Sequence, residues 1–195
     1  MEEAQEKKLE IRNEVSRILG SLTKDTLAAR TSEIEDRLFD FANFLEAKIA
    51  LLYVSAEREV ATGAILQRCF EAKKIVVLPA FKKDKKEMRV MKVDRIDTDL
   101  KPGPRGVPEP DPNRCKIVPL ECIDIAIIPG VAFDEKGGRV GSGLGYYDRF
   151  MPLLPITTRK VALSLECQIF PQLPMESHDK HVDIIITEKR IIYKI

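Results

Sequence analysis

The run Lys48-Ile-Ala-Leu-Leu-Tyr-Val54 decides the fold, because its apolar residues are continuous and do not alternate with polar ones. A strand of that kind is buried on both faces, as in a sheet covered by helices on each side. A helical stretch follows over 62–73, and Ile75-Val-Val-Leu-Pro79 supplies the next strand. Strand, helix and strand at this spacing predict a βαβ unit and a parallel sheet.

Working outward, residues 3–19 carry Leu9, Ile11, Val15, Ile18 and Leu19 among many charges, the pattern of an amphipathic helix broken at Gly20 and Ser21. Leu27, Ile34, Leu38, Phe41, Phe44 and Leu45 recur at three- and four-residue steps and predict one longer helix. Downstream, 88–93 reads as an antiparallel addition, and 97–119 as a long ordered loop rich in Pro and Gly. Ile123-Asp-Ile-Ala-Ile-Ile-Pro129, 161–165, 182–187 and 191–193 are further strands, with a helix over 145–154 ended by Pro155. The expected fold class is α/β: a three-layer α/β/α sandwich around a mostly parallel sheet, Rossmann-like, as one domain over 1–195.

The 195 residues carry a formal net charge of +1, which argues against a nucleic-acid partner. The charged start Met1-Glu2-Glu3 has no secretory h-region, and no apolar run is long enough to span a membrane. Cys69, Cys115, Cys122 and Cys167 lack a C-x-x-C pair and read as small buried hydrophobes. A cytoplasmic monomer acting on small molecules is the expectation.

The chemistry concentrates in Gly137-Gly-Arg-Val-Gly-Ser-Gly-Leu-Gly-Tyr-Tyr-Asp-Arg149. Glycines at 141, 143 and 145 let the backbone approach a ligand, and successive N–H groups can converge on an anion. Arg139 adds a planar, permanent charge suited to phosphate. The segment is neither a Walker A loop nor a dinucleotide fingerprint, and a plain turn is the alternative. Lys8 and Arg12, four apart on one helix face, read by themselves as a solvated surface, with Glu3 and Lys7 as an ordinary i,i+4 pair. Glu59, between strand and helix, could simply serve a helix N-terminus. Asp148 and Asp179 could be turn caps. His178 and His181 have too few neighbouring ligands for zinc.

Pro129-Gly-Val-Ala-Phe-Asp134 followed by Gly138-Arg-Val-Gly-x-Gly-x-Gly-Tyr-Tyr-Asp-Arg149 resembles the signature of the 5-formyltetrahydrofolate cyclo-ligases. Lys8-x-x-x-Arg12, Glu59-Val-Ala-Thr62, Gly106-Val-Pro-Glu-Pro110 and His178-Asp-x-x-Val182-Asp fall in the same order, so the resemblance covers nearly the whole chain. Many members carry a basic residue within the glycine loop, where this sequence has Ser142 and Leu144.

The resemblance implies an ATP-dependent ligase that cyclises 5-formyltetrahydrofolate to 5,10-methenyltetrahydrofolate with magnesium. It implies ATP contacts from Lys8, Arg12, Arg139, Val140, Gly141, Ser142, Gly143, Leu144, Gly145, Tyr146 and Tyr147. Folate contacts would come from Val54, Glu59, Ser142, Gly143, Leu144, Gly145 and Tyr146, with Arg139 and Tyr146 in catalysis and Asp148 and Asp179 at the metal. A pterin's 2-amino group and adjacent ring N–H form a donor pair that the Glu59 carboxylate can accept bidentately. The alternatives are a non-catalytic nucleotide- or pterin-binding module and a sugar-phosphate or CoA enzyme on a similar scaffold.

Overall fold

A computed structural model describes residues 2–82 and 87–194. Helices α1 (Glu2–Ser21), α2 (Lys24–Asp40) and α3 (Ala42–Glu46) precede strand β1 (Ile49–Leu51), helix α4 (Gly63–Glu71) and strands β2 (Ile75–Lys82) and β3 (Glu87–Val93). The short helix α5 (Ile96–Asp99) leads into the hairpin of β4 (Leu100–Pro102) and β5 (Pro108–Pro110). Strands β6 (Ile125–Ile127), β7 (Ala132–Asp134) and β8 (Arg139–Val140) come before helix α6 (Tyr146–Phe150). Strands β9 (Arg159–Leu163), β10 (Ile169–Phe170), β11 (Ile184–Ile186) and β12 (Ile191–Tyr193) complete the described chain.

The main sheet runs β12-β11-β9-β6-β1-β2-β3. Its five inner strands are parallel, and β3 and β12 pair antiparallel at the edges. The continuous apolar runs have the cause inferred from the sequence. Ala50 and Leu52 enter the core on one face while Leu51 enters the core on the other, and Ile184, Ile185 and Ile186 divide in the same way. Helices α2, α3 and α4 cover the first face with Ile34, Leu38, Phe44 and Ile65, all fully buried. Tyr146, Phe150 and Met151 cover the second. Each fully buried Leu or Ile contributes about 1.5–3 kcal/mol, which makes this two-faced sheet the main source of stability.

Four expectations change. The long second helix is two, because Phe41 adopts extended geometry (φ −74°, ψ 118°) and its N–H bonds back to Leu38 O, ending α2 before α3 begins. The first helix continues through Gly20 to Ser21, where the Ser21 hydroxyl donates to Ile18 O. The Pro-rich stretch holds α5 and the β4–β5 hairpin in place of a plain loop. The cysteines also divide: Cys69 and Cys115 are buried, Cys167 is half-buried and Cys122 is exposed.

A second small sheet, β10-β7-β8, stands beside the main one. Helix α1 packs on it through Val15, which is fully buried with Val131, Ala132, Val140 and Leu173. That contact fixes the helix carrying Lys8 and Arg12 beside the strand that ends at Val140.

Candidate active site

Asp134 sets the local geometry. It is 2% exposed, and its Oδ1 accepts from the N–H groups of Lys136 (3.0 Å) and Gly138 (2.8 Å). Its Oδ2 accepts from Leu173 N–H at 2.9 Å. The carboxylate thus closes the β7–β8 turn and ties it to a distant segment. A Cβ at Gly138 would lie 2.6 Å from Asp134 Oδ2, and one at Gly130 would lie 2.4 Å from the Phe133 ring. Both glycines of the motif are therefore required by close packing.

Beyond β8 the chain turns through Gly141–Gly145 into α6, with Gly143 at φ +99° and Gly145 at φ +66°, backbone conformations that L side chains rarely adopt. Among the described residues, no backbone N–H from Gly141 to Gly145 finds a protein acceptor. Their carbonyls are engaged instead. Arg12 Nε donates to Gly141 O at 2.8 Å, and an Arg149 guanidinium nitrogen donates to Leu144 O at 2.9 Å. The loop is held by its oxygens and leaves its amides to solvent. Helix α6 has only five residues, so its dipole adds little to the amides.

Beneath this loop lies Arg139, 4% exposed. Its two terminal nitrogens donate to Pro129 O (3.0 Å) and Asp148 Oδ1 (2.9 Å), while its buried Nε has no acceptor. Asp148 also accepts from Lys180 N–H at 3.1 Å. A Cβ at Gly141 would sit 2.7 Å from the Arg139 guanidinium, so the missing side chain is what lets the loop lie on it.

Lys8 is not a solvated surface residue. It is 4% exposed and donates to Asp179 Oδ2 (2.5 Å) and Glu176 Oε2 (3.0 Å). Burial pushes the Asp179 carboxyl up, but the Lys8 ammonium and the Glu176 N–H outweigh it and hold it below the usual range. Lys7 does make the local pair with Glu3, at 2.6 Å. Glu176, His178 and Asp179 place ligand atoms within 4.8 Å of one another, with the Lys8 ammonium already bound to two of the three.

These parts enclose a cleft of about 250 Å³ between α1, the Gly141–Gly145 loop and the β4–β5 turn. Lys8, Arg12, Glu59, Asp179 and the whole of 139–148 line it, so the structure brings nearly every residue singled out in the sequence to one place. Five basic side chains (Lys8, Arg12, Arg105, Arg139, Arg149) face three carboxylates (Glu59, Asp148, Asp179) there, a positive excess suited to an anion. Val54 lies outside this cleft. It lines a narrow adjoining slot with Tyr53, Pro79 and Phe81, and the slot meets the cleft at Glu59, Arg105, Pro129 and Tyr147.

Glu59 is half-buried at that junction and accepts from Ala56 N–H at 2.8 Å. Burial pushes its carboxyl pKa up against that hydrogen bond and the fields of Arg105 and Arg139. Thr62, fully buried, closes the same turn by donating to Tyr53 O (2.6 Å) and accepting from Ser55 N–H (3.1 Å). Tyr146 and Tyr147 are both buried, with their rings edge-on to Phe81 at 4.8 and 6.4 Å. The sequence reading missed Arg105 and Glu176. The turn Gly103-Pro-Arg-Gly106 was a usable signal for the first, and nothing local marked the second.

The α/β scaffold thus carries a basic, glycine-walled cleft beside a narrow slot that meets it at Glu59. Residues 4–188 match the 5-formyltetrahydrofolate cyclo-ligase family. A probable 5-formyltetrahydrofolate cyclo-ligase of Caenorhabditis elegans is 31% identical over 98% of both chains. The 5-formyltetrahydrofolate cyclo-ligase of Haemophilus influenzae is 31% identical, over 89% of this chain and 94% of its own. Among solved structures, the 5,10-methenyltetrahydrofolate synthetase of Aquifex aeolicus aligns with a TM-score of 0.83 at 28% identity, covering 96% of this chain and 92% of that one. A Mycoplasma pneumoniae 5,10-methenyltetrahydrofolate synthetase shares the fold, with a TM-score of 0.73 at 19% identity. The chain belongs to the 5-formyltetrahydrofolate cyclo-ligase family and is a ligase. No helix among the described residues is long and apolar enough to cross a membrane.

Proposed function

We propose that the cleft and slot hold ATP and 5-formyltetrahydrofolate together and convert them to 5,10-methenyltetrahydrofolate, ADP and phosphate. The observation carrying this reading is the row of amides from Gly141 to Gly145, without acceptors among the described residues, over buried Arg139 in a cleft that adjoins the slot at Glu59. Amides without protein partners are ready donors for phosphate oxygens. A half-buried carboxylate beside apolar walls suits a pterin edge.

The formyl oxygen attacks the γ-phosphorus and the bond to the ADP oxygen breaks. N10 then adds to the formyl carbon, phosphate departs with the formyl oxygen, and N10 loses its proton. No protein nucleophile is consumed, so catalysis is alignment and charge neutralisation. In this reading the amides and Ser142 to Tyr147 hold the phosphates, with Arg12 and Lys8 along one wall. Arg139 supplies positive potential from the floor, and Tyr146 walls the meeting point. Val54 and Glu59 hold the pterin.

Magnesium brought by the nucleotide fits Asp148 and Asp179, single carboxylates on the cleft wall that leave most coordination to phosphate and water. The ion would screen phosphate charge. Each carboxylate already serves a cationic side chain, so the pair suits a shared ion better than a closed cage. We take the protein to act as one domain, a cytoplasmic monomer on small molecules, with no nucleic-acid or membrane partner.

The test is the absorbance rise of the methenyl product when protein, MgATP and 5-formyltetrahydrofolate are mixed. A rise matched by ADP formation is expected. Tight binding of both ligands with no rise would instead favour a non-catalytic module.

A further inference from the structure

Four of the five basic side chains facing the cleft are hydrogen-bonded to the protein. Lys8 is bound to Glu176 and Asp179, Arg12 to Gly141 O, Arg139 to Pro129 O and Asp148, and Arg149 to Leu144 O. Arg105 is different. Among the described residues its guanidinium makes no hydrogen bond and no ion pair, and its close partner is the face of the Phe81 ring, 4.3 Å from the guanidinium carbon.

The sequence builds this placement deliberately. Gly103-Pro-Arg-Gly106 is the turn between β4 and β5, closed by Gly106 N–H to Gly103 O at 3.2 Å, with Gly106 at φ +78°. Pro104 presets its turn position, and Arg105 stands at the tip. Glu109 anchors the hairpin. It is 5% exposed and accepts from Phe81 N–H at 3.0 Å, and a Cβ at Gly103 would lie 2.5 Å from its side chain. Phe81 in turn packs edge-on against Tyr146 at 4.8 Å. The guanidinium is therefore seated on a fixed aromatic platform, and it borders both the cleft and the slot.

The border of two substrate chambers is where their reacting atoms meet. A guanidinium laid on an aromatic face keeps its in-plane N–H donors available. We infer that Arg105 is a further catalytic residue, donating to the oxygens of the phosphoryl group as it passes from ATP to the formyl oxygen. This rests on the reaction proposed above. It assigns to the β4–β5 turn the basic group that the side chains of Ser142 and Leu144 do not supply. Glu59 and Glu109 feel the Arg105 charge, but neither lies within ion-pair distance.

The experiment compares wild type with Arg105→Ala, Arg105→Met and Arg105→Lys, measuring kcat, both KM values and the Kd of a non-hydrolysable ATP analogue. Removing a donor that acts on developing charge lowers kcat about 100-fold. That fall is expected for Ala and Met, with both KM values and the analogue Kd within about threefold of wild type. Lys recovers part of the loss, and added guanidinium partly rescues Ala. Met keeps an apolar stem over Phe81, so it decides the matter if Ala misfolds. Unchanged kcat with a raised KM for 5-formyltetrahydrofolate would make Arg105 a folate-packing residue and overturn the inference alone. A wild type that forms no methenyl product would instead remove the underlying reaction, and this role with it.

Discussion

Asp179 holds the Lys8 ammonium at 2.5 Å, with the two side chains only 9% and 5% exposed. The pair joins the first helix to a turn 171 residues later and forms one wall of the cleft. Burial pushes the Lys8 pKa down, but its two carboxylate partners outweigh this and leave it above 10.5. Asp179 falls below 3.8. The Asp179 contribution is complete above its unfolded value and lost as pH falls through the folded one. The Lys8 contribution is complete below its unfolded value and lost as pH rises through the folded one. Asp179→Asn should lower stability at pH 7 by roughly 1–3 kcal/mol, the range for breaking a paired charge at a partly screened site. Denaturant titration across pH should show the deficit shrinking once wild-type Asp179 protonates.

Glu59 should behave in the opposite sense. Its carboxyl is raised by burial, so the folded state holds a proton the unfolded state has already lost, and stability falls as pH rises through that window. Glu59→Gln should therefore raise the melting temperature of the ligand-free protein at neutral pH. The same change should raise KM for 5-formyltetrahydrofolate at least tenfold, because the pterin edge loses a charged acceptor. A lower melting temperature with unchanged KM would contradict both halves.

Gly143→Val tests the loop. A Cβ there meets only Arg12, at an ordinary 3.6 Å, so steric collision is not the cause of any loss. The cost lies in φ +99°, about 1–3 kcal/mol for a side chain forced into such a region. The loop should relax and its amides diverge, cutting kcat/KM at least 100-fold while global unfolding barely changes.

Arg139→Ala should damage both stability and activity, since it strands Pro129 O and Asp148 together. Arg139→Lys should recover little, because one ammonium cannot serve two acceptors in the guanidinium's fixed geometry. Thermal melts and kcat/KM measured side by side would show this.

The βαβ core was legible in the sequence because Ala50, Leu51 and Leu52 are apolar on both faces of β1, and the same holds across β6 and β11. The β4–β5 hairpin was not. It pairs Leu100 with Pro110 and Pro102 with Pro108, and prolines in three-residue strands look like loop in any local reading. The break at Phe41 was hidden because Phe41 and Phe44 stay on the helical period, and both are buried on either side of it. In the cleft, the glycine segment and Arg139 were readable from spacing. Burial of Lys8 was not, since Glu176 and Asp179 lie 168 and 171 residues away and no helix-face rule connects them.

We propose transfer of the γ-phosphoryl group to the formyl oxygen in this cleft. It is tested most directly with 5-formyltetrahydrofolate labelled with oxygen-18 at the formyl group, turned over with MgATP, followed by mass analysis of the released phosphate. One labelled oxygen in the phosphate is expected for each methenyl product formed. Unlabelled phosphate, with the heavy oxygen recovered in water, would contradict it.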